Sequence, residues 1–265
     1  MEVAVMLLIT EMRRKRLRSQ RLNPALLSIM ERNVPLYGRL PDEDREELHG
    51  HLQVFLAEKS FEGRGGLTMS DEVRVTIASQ ACILLLHRPT DYYPGLASVI
   101  VYPGEYLAPY RDMDEWGVIT EGKDRRSGES CLEGALVLSW EDVLARGLDV
   151  HPSYNVVLHE FAHQLDAEEG ITSGVPLLGK RSRHRVLGEI LHREFERLQE
   201  DAEKDRPTVL DPYGSESLEE FFAVATEAFF QTPLPLRAKH PDLYGELAGY
   251  YRQDPAGWTA SPRHP

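Results

Sequence analysis

His159, Glu160 and His163 stand in the pattern H-E-x-x-H, inside a stretch of helical periodicity. On an α-helix, residues four apart share a face, so the two imidazoles project toward a single point. That spacing suits two corners of a tetrahedral Zn²⁺ site. Glu160, one step round from His159, can reach a water at the metal without ligating it. The plainer alternative is a surface helix that happens to carry two histidines and an acid. Its neighbours argue otherwise: Val156, Val157, Phe161, Ala162 and Leu165 are apolar, and no proline or glycine interrupts from Ser153 to Glu169. Pro152 suits a first-turn position and Gly170 a helix end. The pair is expected on a partly buried helix, where polar side chains need partners.

Catalytic zinc takes three protein ligands and keeps a fourth position for water. The longer pattern with a third histidine nearby is excluded, because Asp166 stands at its glycine and Glu169 at its last histidine. An acid from a later helix is the other solution. Leu218, Phe221, Phe222, Ala225 and Phe229 recur at helical spacing, and Glu219, Glu220 and Glu227 are the acids such a helix can send inward. Glu220 and Glu227 lie seven apart on one face, so one can bind metal while the other orients a ligand histidine. Ser217-x-x-Glu220 also fits a capping box, and Glu216 and Glu219 fit a solvated first turn. Spacing alone leaves Glu219 and Glu220 both open. His184 and His192, eight apart on the intervening helix, are weaker rivals.

The elements that position these residues are legible in outline. A helix is expected from Asp42 to Ser60 and a second, capped by Ser70, ending before Pro89. Ala97–Tyr102 and Ala135–Trp140 read as strands, the latter as either a sheet edge open to a peptide or an internal strand. Residues 110–134 read as loop-rich, with Asp112, Asp114 and Glu115 solvated. A long helix over 182–204 and a final one over 242–253 complete the expectation, with a disordered tail over 260–265. His49 and His51 read as surface residues.

The chain has 265 residues, 42% hydrophobic and 28% charged, which is the composition of a soluble globular protein with a sizeable core. A formal charge of −13 argues against direct nucleic-acid binding, which needs phosphates neutralised by Lys and Arg. The basic cluster Arg13-Arg14-Lys15-Arg16, with Arg18 and Arg21, reads as a solvated helix face or flexible arm, an anionic partner being the sharper alternative. Val3–Ile9 is too short to span a bilayer, and its flanking charges reverse those of a signal peptide. No membrane partner is expected, and the compartment reads as cytoplasmic. Two cysteines agree with that: Cys82 sits in an apolar helix and Cys131 in a polar stretch, and neither belongs to a C-x-x-C pair.

The segments His159–Asp166, Ser173-Gly174-Val175-Pro176, Asp211-Pro212-Tyr213 and Glu220–Val224 resemble the Mlc titration factor A family of bacterial zinc peptidases. Phe61-Glu62-Gly63, Asp71–Cys82 and Val99–Pro103 extend the likeness, which runs from about residue 35 to about residue 255. The resemblance implies His159, His163 and Glu220 as ligands of one Zn²⁺ per chain, Glu160 as general base and Tyr213 as an active-site tyrosine. A tyrosine seven residues before the glutamate ligand is similar to the catalytic domain of anthrax lethal factor. The implied activity is aminopeptidase-type hydrolysis of short peptides, and the implied second role is sequestering a transcriptional repressor of sugar-uptake genes. The expected fold is α+β and zincin-like. Residues 1–34 are expected as an N-terminal arm or helix, 35–255 as one catalytic domain and 256–265 as the disordered tail.

Overall fold

The computed structural model describes residues 2–113, 119–126, 128–131, 134–145, 151–168, 174–175 and 181–258. Helices α1 (Glu2–Arg18) and α2 (Pro24–Asn33) precede α3 (Asp42–Glu58), strand β1 (Ser60–Gly63), α4 (Asp71–Ile83) and β2 (Ser98–Tyr102). Next come strands β3 (Tyr106–Met113), β4 (Ile119–Arg126), β5 (Gly128–Cys131) and β6 (Ala135–Ser139), then the short α5 (Trp140–Leu144) and α6 (Val156–Asp166). Helices α7 (Arg181–Glu203), α8 (Leu218–Gln231), α9 (Pro233–Lys239) and α10 (Pro241–Tyr251) follow. The fold is α+β.

One sheet has the order β1-β2-β6-β5. Strands β1, β2 and β6 run parallel, and β5 pairs antiparallel with β6. The connection from β1 to β2 carries α4, as a parallel pair requires. The strand expected over 135–140 is therefore internal, and β5 occupies the edge beside it. The stretch over 110–134, expected to be loop-rich, contains most of a β3–β4 hairpin and all of β5. Its strands hold Pro109, Arg111, Asp112, Glu121, Lys123, Asp124, Arg125 and Arg126, so no apolar alternation announces them. Asp114 and Glu115 lie outside the described residues, as do the side chains of Asp112 and Cys131.

The core is a continuous apolar cluster running from Leu22 to Tyr251. Ser70 caps α4 as expected, accepting from the Val73 amide, and this helix is buried on almost every side. Phe161, inside the H-E-x-x-H motif, packs its ring 4.9 Å from that of Tyr93 and 5.8 Å from that of Phe55 on α3. All three are fully buried, so the motif's apolar face anchors α6 in the core. Cys82 is buried in the same core, and burial pushes its thiol upward, away from the thiolate a nucleophile needs. No helix among the described residues is long and apolar enough to cross a membrane.

Two surface readings are corrected. His51 is buried, its Nδ1 2.8 Å from the Tyr92 hydroxyl and its Nε2 3.2 Å from Glu47. His49 is half-buried against the Tyr37 hydroxyl at 3.0 Å. The N-terminal basic cluster is also divided. Arg13, Lys15 and Arg16 are exposed, but Arg14 is buried and grips Glu58 through Nε and Nη2, each at 2.9 Å. Its Nη1 reaches Asp91, and the guanidinium lies 4.9 Å from the centre of the Tyr92 ring. This fork fixes α1 on the end of α3. The tail expected over 256–265 begins within a short 3-10 turn (Pro255–Gly257), and residues beyond 258 lie outside those described.

Arg14→Ala should lower stability by about 2–4 kcal/mol in urea unfolding, because it strands the mostly buried Glu58 carboxylate. Asp91, whose side chain is 67% exposed, should tolerate Asn at a cost under about 1 kcal/mol. Equal costs for the two changes would remove the fork's special role.

Candidate metal centre

The helix carrying the motif begins later than Pro152 suggested. Asn155 is its N-cap, with Oδ1 accepting from the Leu158 amide at 3.0 Å, and Pro152 lies in the preceding turn. Gly170, expected at its end, lies outside the described residues, and α6 ends at Asp166. The helix of the acids is capped by Ser217, whose hydroxyl accepts from the Glu220 amide at 3.2 Å. The expected capping arrangement is therefore present at the backbone of Glu220, while its carboxylate turns toward α6.

Three donor atoms converge there. His159 Nε2 lies 2.9 Å from Glu220 Oε2 and 3.2 Å from His163 Nε2, and His163 Nε2 lies 3.5 Å from Glu220 Oε2. Ligand atoms held tetrahedrally at roughly 2.0–2.1 Å from a divalent ion are about 3.3 Å apart. The observed separations bracket that value, so the donor set fits a metal. Among the described residues this is the group of three His, Cys, Asp or Glu that meets the spacing for a metal ion. Glu219 is outside it. His192 is exposed on α7 with Nδ1 bonded to the Gly188 carbonyl, and the side chain of His184 lies outside the described residues.

The electrostatics ask for a positive charge at this point. Burial disfavours an imidazolium at His159, but hydrogen bonds to Glu220 and then Glu227 outweigh it and raise its pKa well above the usual histidine range. Burial pushes the Glu220 carboxyl up, and its bonds to His159 and His163 more than reverse this, holding it at about 2. Glu227 is 3% exposed, and its burial outweighs His159 to raise it. A divalent cation held here would be a positive charge set between these acids.

Glu227 also orients His159. Its Oε1 is 2.9 Å from His159 Nδ1, which leaves Nε2 facing Glu220 and His163. Glu160 is buried beside His159 on α6. Tyr213 lies in a 3-10 turn (Pro212–Ser215) just before α8, where the Asp211 side chain accepts from its amide. The residue is 47% exposed and its ring centroid lies 6.0 Å from that of His159, so it stands at the rim of the centre.

Two supports escaped the sequence reading. Asp166, which closes one of the segments that carry the resemblance but was given no role of its own, is buried and accepts the Gly174 amide at 2.9 Å. Gly174 has φ +65° and presses on the first turn of α8: a Cβ there would run into the Leu218 carbonyl and lie 2.7 Å from the Glu219 nitrogen. The second is Asn155, which a search for Asn before an apolar run could have found as a cap.

Sequence comparison finds relatives along most of the chain. A family model described as glucose-regulated metallo-peptidase M90 matches residues 9–252. An uncharacterized protein of Synechocystis sp. is 38% identical over 247 residues, 92% of this chain and 89% of its own. Mlc titration factor A of Pectobacterium atrosepticum is 32% identical over 226 residues, 84% of each chain. The protein of that name from Yersinia pestis is 27% identical over 226 residues, 84% of this chain and 83% of its own.

Gly174→Ala should cost about 2–4 kcal/mol in urea unfolding, from the left-handed backbone and from displacing the turn that carries Glu220. Gly188→Ala is the control. A Cβ there meets Val175 at an ordinary 3.4 Å within α7, so that change should be neutral or stabilising by up to about 1 kcal/mol. A Gly174 variant as stable as the Gly188 one would show that the contact carries no constraint.

Proposed function

This chain belongs to the glucose-regulated metallo-peptidase M90 family, and from that premise we propose that it is a cytoplasmic zinc peptidase with aminopeptidase-type action on short peptides. The observation that carries this reading is the convergence of His159, His163 and Glu220 donor atoms within 4.8 Å of one another. Two nitrogens and a carboxylate oxygen make three protein donors, the number of a catalytic rather than a closed structural zinc site. The arrangement of a motif helix packed against β5 and β6 suits a zincin-like fold.

When bound, zinc supplies Lewis acidity, polarising a carbonyl and bringing water's pKa toward neutrality. The chain's own residues do the rest. Glu160 takes a proton from the attacking water and delivers it to the departing amine nitrogen, a transfer helped by the low-dielectric setting of its carboxylate. Tyr213 donates a hydrogen bond to the oxygen that becomes negative in the tetrahedral species. Among the described residues β5, rather than β6, is a sheet edge, so its backbone groups are the ones offered to an extended peptide.

The relatives named Mlc titration factor A favour a second role, in which this chain binds and sequesters a transcriptional repressor of sugar-uptake genes. The two roles separate experimentally, since repressor binding needs no proton transfer.

Metal analysis of the gently purified protein should find one zinc per chain. Glu220→Ala should weaken zinc binding by orders of magnitude and Glu219→Ala barely; equal small effects would exclude Glu220 as a ligand. Glu160→Gln should retain zinc and any repressor binding while losing roughly 10²–10⁴-fold in peptide hydrolysis. Tyr213→Phe should lower kcat on the order of a hundredfold with KM little altered. Wild-type turnover in either variant would remove that residue from the mechanism.

A further inference from the structure

We infer that Gln80 and Asn155 are positioning residues for the metal centre, holding through Glu227 the ring orientation of His159. The inference rests on the zinc reading above and deepens it. Gln80 is buried on α4, on a helix whose neighbours are mostly apolar. A primary amide in such a place needs both its ends occupied. Its Nε2 donates to the Thr76 carbonyl at 3.2 Å, and its Oε1 accepts from Asn155 Nδ2 at 2.7 Å.

Asn155 is committed on every polar group. Oδ1 caps the Leu158 amide at 3.0 Å, which leaves Nδ2 as the end that meets Gln80. Its carbonyl accepts the His159 amide at 3.0 Å, and its own amide donates to Glu227 Oε2. Glu227 then presents its other oxygen to His159 Nδ1 at 2.9 Å.

The consequence is geometric. A carboxylate bonded only to an imidazole can rotate with it, so it would fix the tautomer but not the ring plane. The second bond, from a backbone amide whose residue is clamped by Gln80, fixes the carboxylate and hence the ring. Metal sites lose affinity when such outer partners are removed, typically roughly 10–100-fold. Gln80 is 75 residues from Asn155 in sequence, and Glu227 is 72 from it. The clamp therefore joins three helices, α4, α6 and α8, at one carboxylate.

The test measures zinc release from the loaded full-length protein into a chromogenic chelator, alongside thermal unfolding. Gln80→Met and Asn155→Ser should each speed zinc release roughly 10–100-fold; the serine still caps α6, so the melting temperature should move little. In a Glu227→Gln background, Gln80→Met should add little, because both act through one carboxylate. Additive effects in that pair, or a lowered melting temperature with wild-type release, would reduce Gln80 to a packing role and overturn the inference. Should Gln80→Met fail to fold, Asn155→Ser carries the same test alone. A wild-type protein that binds no zinc overturns the functional reading as well; zinc lost by His159→Ala but kept by Gln80→Met overturns only this inference.

Discussion

A buried carboxylate gripped from two sides is the constraint on which this centre depends. Glu227 sits in α8 with both oxygens engaged, one by the His159 ring and one by the amide that opens α6. Charge buried at this depth is tolerated only when hydrogen bonds answer it. The two helices can therefore pack in few relative positions, because a slide of either would leave that charge unanswered. Helices α6 and α8 lie directly against each other, and each also buries apolar side chains in the common core, Phe161 from α6 and Phe221 and Phe222 from α8. The polar grip then selects one arrangement among those that packing alone would allow, and in it Glu220 meets the two histidines.

The division of labour explains what could be read from sequence. The histidine pair and its glutamate are local in one helix, and their spacing is a direct consequence of 3.6 residues per turn. The ligand acid was narrowed to Glu219 or Glu220 by periodicity and placed by family resemblance. The structure brings Glu220 to the histidines and leaves Glu219 in the first turn, with the backbone cap expected of Ser217 also in place. Seven-residue spacing put Glu220 and Glu227 on one face and left open which of them would orient a histidine; in the structure Glu227 is the one that meets His159 Nδ1. Gln80 was illegible because a lone amide in an apolar helix carries no local sign of a partner 75 residues away.

The fold was legible wherever burial imposes a period. Helices α3, α4, α7 and α8, and strands β2 and β6, fall within a few residues of expectation. The β3–β4 hairpin was missed because its strands are held by their mutual ladder and carry mixed polar side chains in sequence. Strand β1 was missed because four residues ending in Gly63 look like a break after α3, and only pairing with β2 makes them a strand. His51 was misplaced for a related reason. Histidines two apart on a helix point different ways, but the Tyr92 loop folds over one of those directions.

The sequence distance between the donors has a consequence for how the protein acquires its ion during synthesis. His159 and Glu220 are 61 residues apart, so a growing chain exposes both histidines well before their acidic partner exists. At about 5–20 residues per second, that interval is on the order of 3–12 s. Throughout it the imidazole pair offers a cation only two donors, and neither Glu220 nor Glu227 is present to balance its charge. Tight capture must wait for α8 to dock, and an ion captured then favours the docked state over any open one. An ion held by His159, His163 and Glu220 would thus link its own capture to the docking of α8 on α6.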